Sequence, residues 1–522
     1  MNARRLGTPA LCALALLAAG IAHAAALTPE QQALHVLNRL GYGPRPGDVA
    51  AVVAMGVGRY IEQQLAPERT PEPEQLRQRL AALDTLPMSA AALFDQYGPP
   101  AVRPVKDDPE ARKAVERRAR IITEQAGEAR FLRALESPRQ LEEVMVDFWF
   151  NHFNVYAGKG LDRIWSGNYE REAIRPYVLG RFRDLLGATA KHPAMLFYLD
   201  NWRSTAPGIV IGRGNNKAEG LNENYARELM ELHTLGVDGG YTQADVVALA
   251  RILTGWGFNR QLLARGTATP FYFDAQRHDF GDKVFLGRAV SGRGIAEGEW
   301  ALDVLAAHPA TARHVSFQLA QYFVADNPPL GLVDRMARRF LDTQGDMREV
   351  LRTLFSSPEF WDAANAGAKF KTPYHYVLST LRAADVPVAN FRPVFGVLAQ
   401  LGMPLYGCPT PDGYKNTEAA WLNPDAMTRR INFATAVASG RLPLDRVPDP
   451  SDDRGMGGAP LQRAAEVPGR GSGSAAPGAV DPELLRRTLG NQFSAKTLDA
   501  IASAPPALRA AMILGSPEFM RF

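Results

Sequence analysis

Between Asn222 and Trp256 the apolar residues follow a helical period, break at a run of glycines, and resume the same period. The stretch predicts two helices joined by a Gly-rich turn. With about 100° per residue and Glu228 set at 0°, Leu232, Tyr225 and Leu229 fall near 40°, 60° and 100°, and Ala226, Met230 and Leu235 near 160°, 200° and 340°. The apolar arc then runs from Leu235 round to Met230, with Glu228 and His233 inside it. Glu223, Arg227 and Glu231 fill the polar gap, where Arg227 can pair with either glutamate four residues away. Gly236, Gly239 and Gly240 stop the first helix. Thr242 is an N-cap for the second, with Asp245 in its first turn and Val246, Leu249, Ala250 and Leu253 as its stripe.

A second pattern of the same kind begins at Ser137-Pro138, a helix-start pair. Its stripe is Leu141, Val144, Met145 and Phe148, and His152 continues it. Asp147 and Asn151 stack on the flank, and Asn154 follows. A carboxylate or imidazole on an apolar face is costly unless paired, neutralised or bound. For His152 and Glu228 two readings stay open: polar groups that fix packing, or groups that do chemistry. His233 alone reads more readily as a satisfied core histidine.

The rest of the chain is mostly helical in pattern. Thr28-Pro29-Glu30-Gln31 starts a helix that Gly41-Tyr42-Gly43-Pro44 breaks, and a second helix is predicted over 46–65. Residues 97–112 read as a loop, as does the Gly/Asn-rich stretch 208–220, whose glycines lack the strand–helix context of a phosphate loop. Strands are predicted only near 271–273 and 283–286, paired as a hairpin around His278-Asp279-Phe280-Gly281. His278 and Asp279 read either as binding residues at the hairpin tip or as an exposed histidine and a turn aspartate. Helical stripes return from Glu297 onward. Ser-Pro-Glu-Phe occurs at 357–360 and again at 516–519, each time reading as a helix start. Residues 404–430 predict an ordered loop, because Tyr406, Tyr414 and Trp421 give it groups to bury.

Composition narrows the classes. Hydrophobic residues make up 46% of the 522 residues, and the net charge is +4 with no long basic run, which is no nucleic-acid footprint. Residues 1–24 carry a leader pattern: Arg4-Arg5, an apolar core from Leu11 to Ile21, and Ala22-His23-Ala24 as cleavage site. Loss of the two arginines would leave +2. Cys12 lies in that leader, so Cys408 is the single thiol left and stability must come from the core. No second apolar run is long enough to span a bilayer. There is no CxxC, HExxH or Walker A pattern.

Several stretches together resemble the bacterial domain of unknown function 1800 family over nearly the whole chain. They are LNRLGYGPRPGDV, DFWFNHFNV, NENYARELMELHTLGV with YTQADVVALARILTGW, HDFGDKVFLG and WLNPDAMTRR. The resemblance implies a secreted or periplasmic protein and, from gene neighbourhood, a sulfatase-like secreted protein as partner. It implies no activity. His152 and Glu228 fall in its most recognisable motifs, and it implies an aromatic in some relatives at the place of His233.

The expected fold is mainly α, a large multi-helix domain with one small β-hairpin. The expected layout is a leader over 1–24, a main helical domain over 25–444, a flexible insertion over 445–480 and a C-terminal helical unit over 481–522 packed on the main domain. Two functional classes fit. One is an envelope or extracellular enzyme in which His152 and Glu228 do acid/base work on a glycan-like polymer. Asn151, Asp147, Arg227, Glu231, His233, His278 and Asp279 would be binding residues, and Trp149, Trp165 and Trp256 would supply aromatic surface. Burial would raise the glutamate pKa, and a carboxylate neighbour would raise that of the histidine. A variant has His152, Glu228 and Glu231 holding a divalent metal. The other class is a non-catalytic scaffold for the sulfatase-like partner, its polar motifs serving as packing networks.

Overall fold

Two helix-start signals in the sequence become capping boxes, whereas the helix after Ser137-Pro138 begins at Gln140 without a side-chain cap. The Thr28 side chain accepts from Gln31 N, and Gln31 returns a bond to the Thr28 N–H, opening the helix Pro29–Arg39. Thr242 and Asp245 do the same for Gln243–Ile252. Each box satisfies two N–H groups that the first helical turn leaves unpaired. The computed structural model describes residues 26–99, 109–211, 218–263, 270–445, 479–490 and 492–522. The leader at 1–24 and all but the ends of the 445–480 segment lie outside the described residues.

The chain is mainly α, as its periodicity predicts. The predicted 46–65 helix is two, Asp48–Met55 and Val57–Leu65, because Gly56 adopts φ 87° and ψ 130° between them. The loop expected over 97–112 gives way at Pro109 to a long helix, Pro109–Glu136. The two Ser-Pro-Glu-Phe stretches are the same capped turn rather than helix starts. In each, the serine Oγ accepts from the phenylalanine N three residues on, and that phenylalanine is buried.

The two predicted strands form, but each pairs with a strand the sequence reading did not place. Trp256–Phe258 pairs antiparallel with Phe271–Phe273, and Lys283–Phe285 pairs with Arg288–Val290. With Val210–Ile211 and Ala218–Glu219 this makes three two-stranded sheets among the described residues. The expected hairpin between 271–273 and 283–286 does not form.

One continuous core joins the helices. Trp149, Trp165 and Trp256 are fully buried in it. Trp149 and Trp165 donate their indole N–H groups to the Val178 and Ala90 carbonyls, and full burial makes all three rings packing groups rather than ligand surface. The C-terminal residues close on the main body: Phe522 and Lys369 exchange two backbone hydrogen bonds, and Tyr376 donates to the Leu514 carbonyl. Among the described residues no helix is long and apolar enough to cross a membrane.

Candidate functional site

The helix Gln140–His152 organises the polar interior. Its stripe Leu141, Val144, Met145 and Phe148 is buried, and His152 at its last position is buried with it. Just beyond, a strap of chain from Pro404 to Asn416 is tied across the helix end. Asn151 Nδ2 donates to the Tyr414 carbonyl at 2.8 Å and its Oδ1 accepts from Tyr414 N at 2.7 Å. Asn154 Nδ2 donates to the carbonyls of Cys408 and Thr410. The strap comes so close that Gly413, at φ +65°, leaves no room for a side chain: a Cβ there would lie 2.3 Å from the Asn151 carbonyl oxygen. Asn151, expected to bind a ligand, spends its amide holding this strap.

Strap and helices enclose a cleft of about 170 Å³. Asp147, Phe148 and His152 come from one helix, and Gln318, Gln321 and Tyr322 from Pro309–Phe323. Asp412, Tyr414, Lys415 and Asn416 come from the strap. Its polar groups are therefore carboxylates, amides and phenols set against aromatic faces.

Hydrogen-bond logic decides the protonation of the histidines at its floor. Gln318 Oε1 stands 2.6 Å from His152 Nδ1, and its Nε2 3.0 Å from His314 Nε2. His152 Nε2 lies 3.1 Å from the His233 carbonyl and His314 Nε2 3.2 Å from the Leu232 carbonyl. A carbonyl only accepts, so both Nε2 atoms carry hydrogen. Neutral His152 then needs a donor at Nδ1, and His314 offers a donor to the amide. Gln318 meets both needs once its amide is turned, nitrogen to His152 and oxygen to His314, an orientation assigned from the network. Burial first, and His314 second, push the His152 pKa down to about 4. Burial, then His152 and His314, hold His233 well below its ordinary value. The carboxylate neighbour expected to raise His152 is not there; its neighbours are two other imidazoles, ring centroids 6.1 and 6.3 Å away. Both nitrogens of His152 are engaged, which leaves it no lone pair for proton abstraction. It anchors the 140–152 helix to the turn after residue 231.

Glu228 is half-buried rather than inside the apolar face. Its helix ends at Glu231, so Leu235 does not continue the projected arc, and the buried side chains are Tyr225, Ala226, Leu229 and Met230. The Glu228 carboxyl is raised by burial, then by Glu231 and Asp412. Asp412 lines the cleft, as does Leu232, whose N–H donates to the Glu228 carbonyl, and His152 lies there too. Arg227 makes the expected pairs with Glu223 and Glu231, at 3.5 and 3.6 Å on the surface. Among the described residues no three His, Cys, Asp or Glu side chains converge to hold a metal ion. His152, Glu228 and Glu231 accordingly form no ligand set.

His278 and Asp279 belong to a separate buried cluster. His278 is enclosed, not exposed at a tip: its Nδ1 meets the Thr254 carbonyl at 2.9 Å and its Nε2 lies 3.7 Å from Glu297. Asp279 takes a two-pronged bond from Arg251, and buried Lys283 pairs with Glu297 at 2.9 Å. These groups tie the strand Lys283–Phe285 to the helix Ile295–Ala306 and do not line the cleft.

Asp147 connects the cleft to a chain of buried ions. Arg130 Nη2 donates to Asp147 at 2.5 Å and its Nη1 to Glu170 at 3.1 Å. Glu170 accepts also from Tyr406 and Arg175, and Arg175 forks onto Glu143. Burial raises the Asp147 carboxyl despite the opposing pull of Arg130. Asp412 is also pushed up by burial, but bonds from Lys415 and Thr410 outweigh that and hold it below the ordinary carboxylate range. Asp412, Lys415, Gln318 and Tyr322 were not singled out from sequence. The one signal was the buried aromatics of the 404–430 loop.

A family model described as a protein of unknown function, DUF1800, matches residues 35–521. No curated protein and no solved structure matches the chain. With nearly its whole length inside that match, the chain belongs to the DUF1800 family.

Proposed function

We propose that the protein is an exported acid/base enzyme acting on a glycan-like polymer in the cleft between the 140–152 helix and the strap. One observation carries this reading: two carboxyl groups of one cleft, Asp147 and Asp412, are shifted in opposite directions. A pair of acids driven apart by their surroundings is the arrangement acid/base hydrolysis needs, one proton donor and one ionised partner. Asp147, ionised against Arg130 at rest and raised by burial, is the group that takes up and returns the proton, and Asp412 stays ionised. Gln318, Gln321, Asn416, Tyr322 and Tyr414 suit hydroxyl-bearing rings, supplying amides for hydrogen bonds and aromatic faces for the apolar side of a sugar. His152 and Glu228 are positioning groups in this scheme. The leader pattern at 1–24 supports export, and intact-mass measurement of exported protein should show a start near Ala25.

The test is hydrolysis of a panel of purified polysaccharides and aryl glycosides by the wild type and Asp412→Asn. The variant should lose at least about a hundredfold in kcat with unchanged melting temperature. A wild type inert on the whole panel, or a variant with full activity, defeats the proposal. The saturated hydrogen bonding of His152 favours the other reading, a non-catalytic scaffold for a sulfatase-like secreted protein. Co-purification of such a partner with an inactive wild type would support it.

A further inference from the structure

A second concavity lies at the opposite end of the ion chain from Asp147. It is a groove of about 450 Å³ at the start of the 140–152 helix. Five arginines line it: Arg139, Arg171, Arg175, Arg181 and Arg348. They come from four separate places in the chain. Arg171 lies in the π-helical turn Glu170–Ile174, and Arg175 follows directly. A π turn adds a residue to the helical ring and is frequently found at functional sites. Here Glu170 is buried toward Arg130, while Arg171 and Arg175 remain on the groove wall.

Three carboxylates line it, Glu68, Glu142 and Asp346, and carboxylates behind the wall pair with Arg171 and Arg175, so the donors left over are particular N–H groups. The Asp346 carboxylate is occupied as a helix cap, accepting from Arg348 N and Glu349 N. Glu142 and Glu72 lie 3.9 and 3.7 Å from Arg139, beyond hydrogen-bond distance. Glu68 pairs with Arg348 at 3.0 Å on the exposed rim. Arg171 pairs with Glu172, and Arg175 with Glu143 and Glu170. Among the described residues the Arg181 guanidinium donates to the neutral Gln344 Oε1 and to no carboxylate. Two further donors are enclosed and unpartnered, Arg175 Nε and Arg348 Nε. A buried donor left unmade is expensive, and guanidinium forks match the oxygens of tetrahedral oxyanions.

We propose that this groove is a binding site for a phosphate-type oxyanion, held by Arg181, Arg348 and Arg171 with Arg175 behind them. The donors it would take are those of Arg181, which meets a neutral amide, and the enclosed Nε groups of Arg175 and Arg348. The assignment is independent of the cleft chemistry, because none of these arginines lines the cleft.

The experiment is calorimetric titration of the full chain with pyrophosphate at fixed ionic strength, for wild type and for Arg181→Gln/Arg348→Gln. Arg181 is exposed and Arg348 partly so, and neither belongs to the core, so the variant should keep the wild-type melting temperature. Saturable wild-type binding that is about tenfold or more weaker in the variant supports the site. Lys415→Gln, in the cleft, should leave that binding unchanged. Wild-type binding that persists undiminished in the double variant, or heat no larger than an equal charge of chloride produces, overturns it. Arg171→Gln, read in the same way, serves if the double variant is unstable. Sedimentation with vesicles containing phosphatidic acid distinguishes the source: co-sedimentation lost in the variant assigns the phosphate to a lipid headgroup. Pyrophosphate binding without vesicle binding assigns it to a soluble ligand.

Discussion

Arg130→Met tests whether the buried ion chain supports the cleft. Arg130 is 4% exposed, bonds Asp147 and Glu170, and lies over the rings of Phe150, Tyr374 and Tyr406 at 5.3, 5.1 and 5.6 Å. Methionine keeps most of the stem and removes the charge. Glu170 then retains Arg175 and the Tyr406 hydroxyl, whereas Asp147 retains, among the described residues, the Tyr322 hydroxyl at 3.4 Å. The cost therefore falls mainly on Asp147, a buried carboxylate left almost unpaired. Breaking such a pair costs about 3–5 kcal/mol, and the lower end is expected because Glu170 stays compensated. The pH dependence has a definite sign. Burial already raises Asp147, and losing Arg130 raises it further. A raised carboxyl carries its penalty above its folded pKa and sheds it on protonation, so the gap between variant and wild type should narrow as pH falls. Urea unfolding followed by tryptophan fluorescence at pH 7 and pH 5 measures the gap, with buried Trp149 on the same helix as reporter. Asp147→Asn in the Arg130→Met background should recover about 1–3 kcal/mol, since it removes the stranded charge. A loss under about 1 kcal/mol, a gap that widens at lower pH, or simple additivity would refute the reasoning.

Three further outcomes are expected. Gly413→Ala should cost at least about 1 kcal/mol more than Gly402→Ala in the same unfolding assay. Both sites have positive φ, but only the first drives a Cβ into the Asn151 backbone. Stability should fall as pH drops from 6.5 toward 4: His152, His35 and His192 are held at about 4, 3 and 3 in the fold, so the unfolded chain binds their protons first. A melting temperature flat across that window would contradict the neutral, buried assignment. Glu228→Gln should leave the melting temperature unchanged or raise it at pH 7, because the carboxyl is raised by burial, Glu231 and Asp412; a marked drop would mean that it holds a partner.

Local spacing was enough to place several helices and two of their capping boxes. The boxes at Thr28 and Thr242, the buried stripe ending at His152 and the i±4 pairs of Arg227 all depend on residues within one or two turns of each other. Such contacts are set by helical geometry and so are written in the sequence period. Where an element stops is less legible, and the Glu228 arc failed for that reason: Leu235 was projected onto a helix that had ended at Glu231. Strand partners, the reach of the strap and the cleft itself were decided by tertiary packing. Phe271–Phe273 took Trp256–Phe258 as partner because short strands carry little register information until a neighbour is present. Asn151 and Tyr414, 263 positions apart, exchange two hydrogen bonds that no spacing encodes. Asp147 and Asp412 acquire opposite protonation tendencies only once Arg130, Lys415 and the surrounding burial are in place, since a pKa shift is a property of the environment and not of the residue.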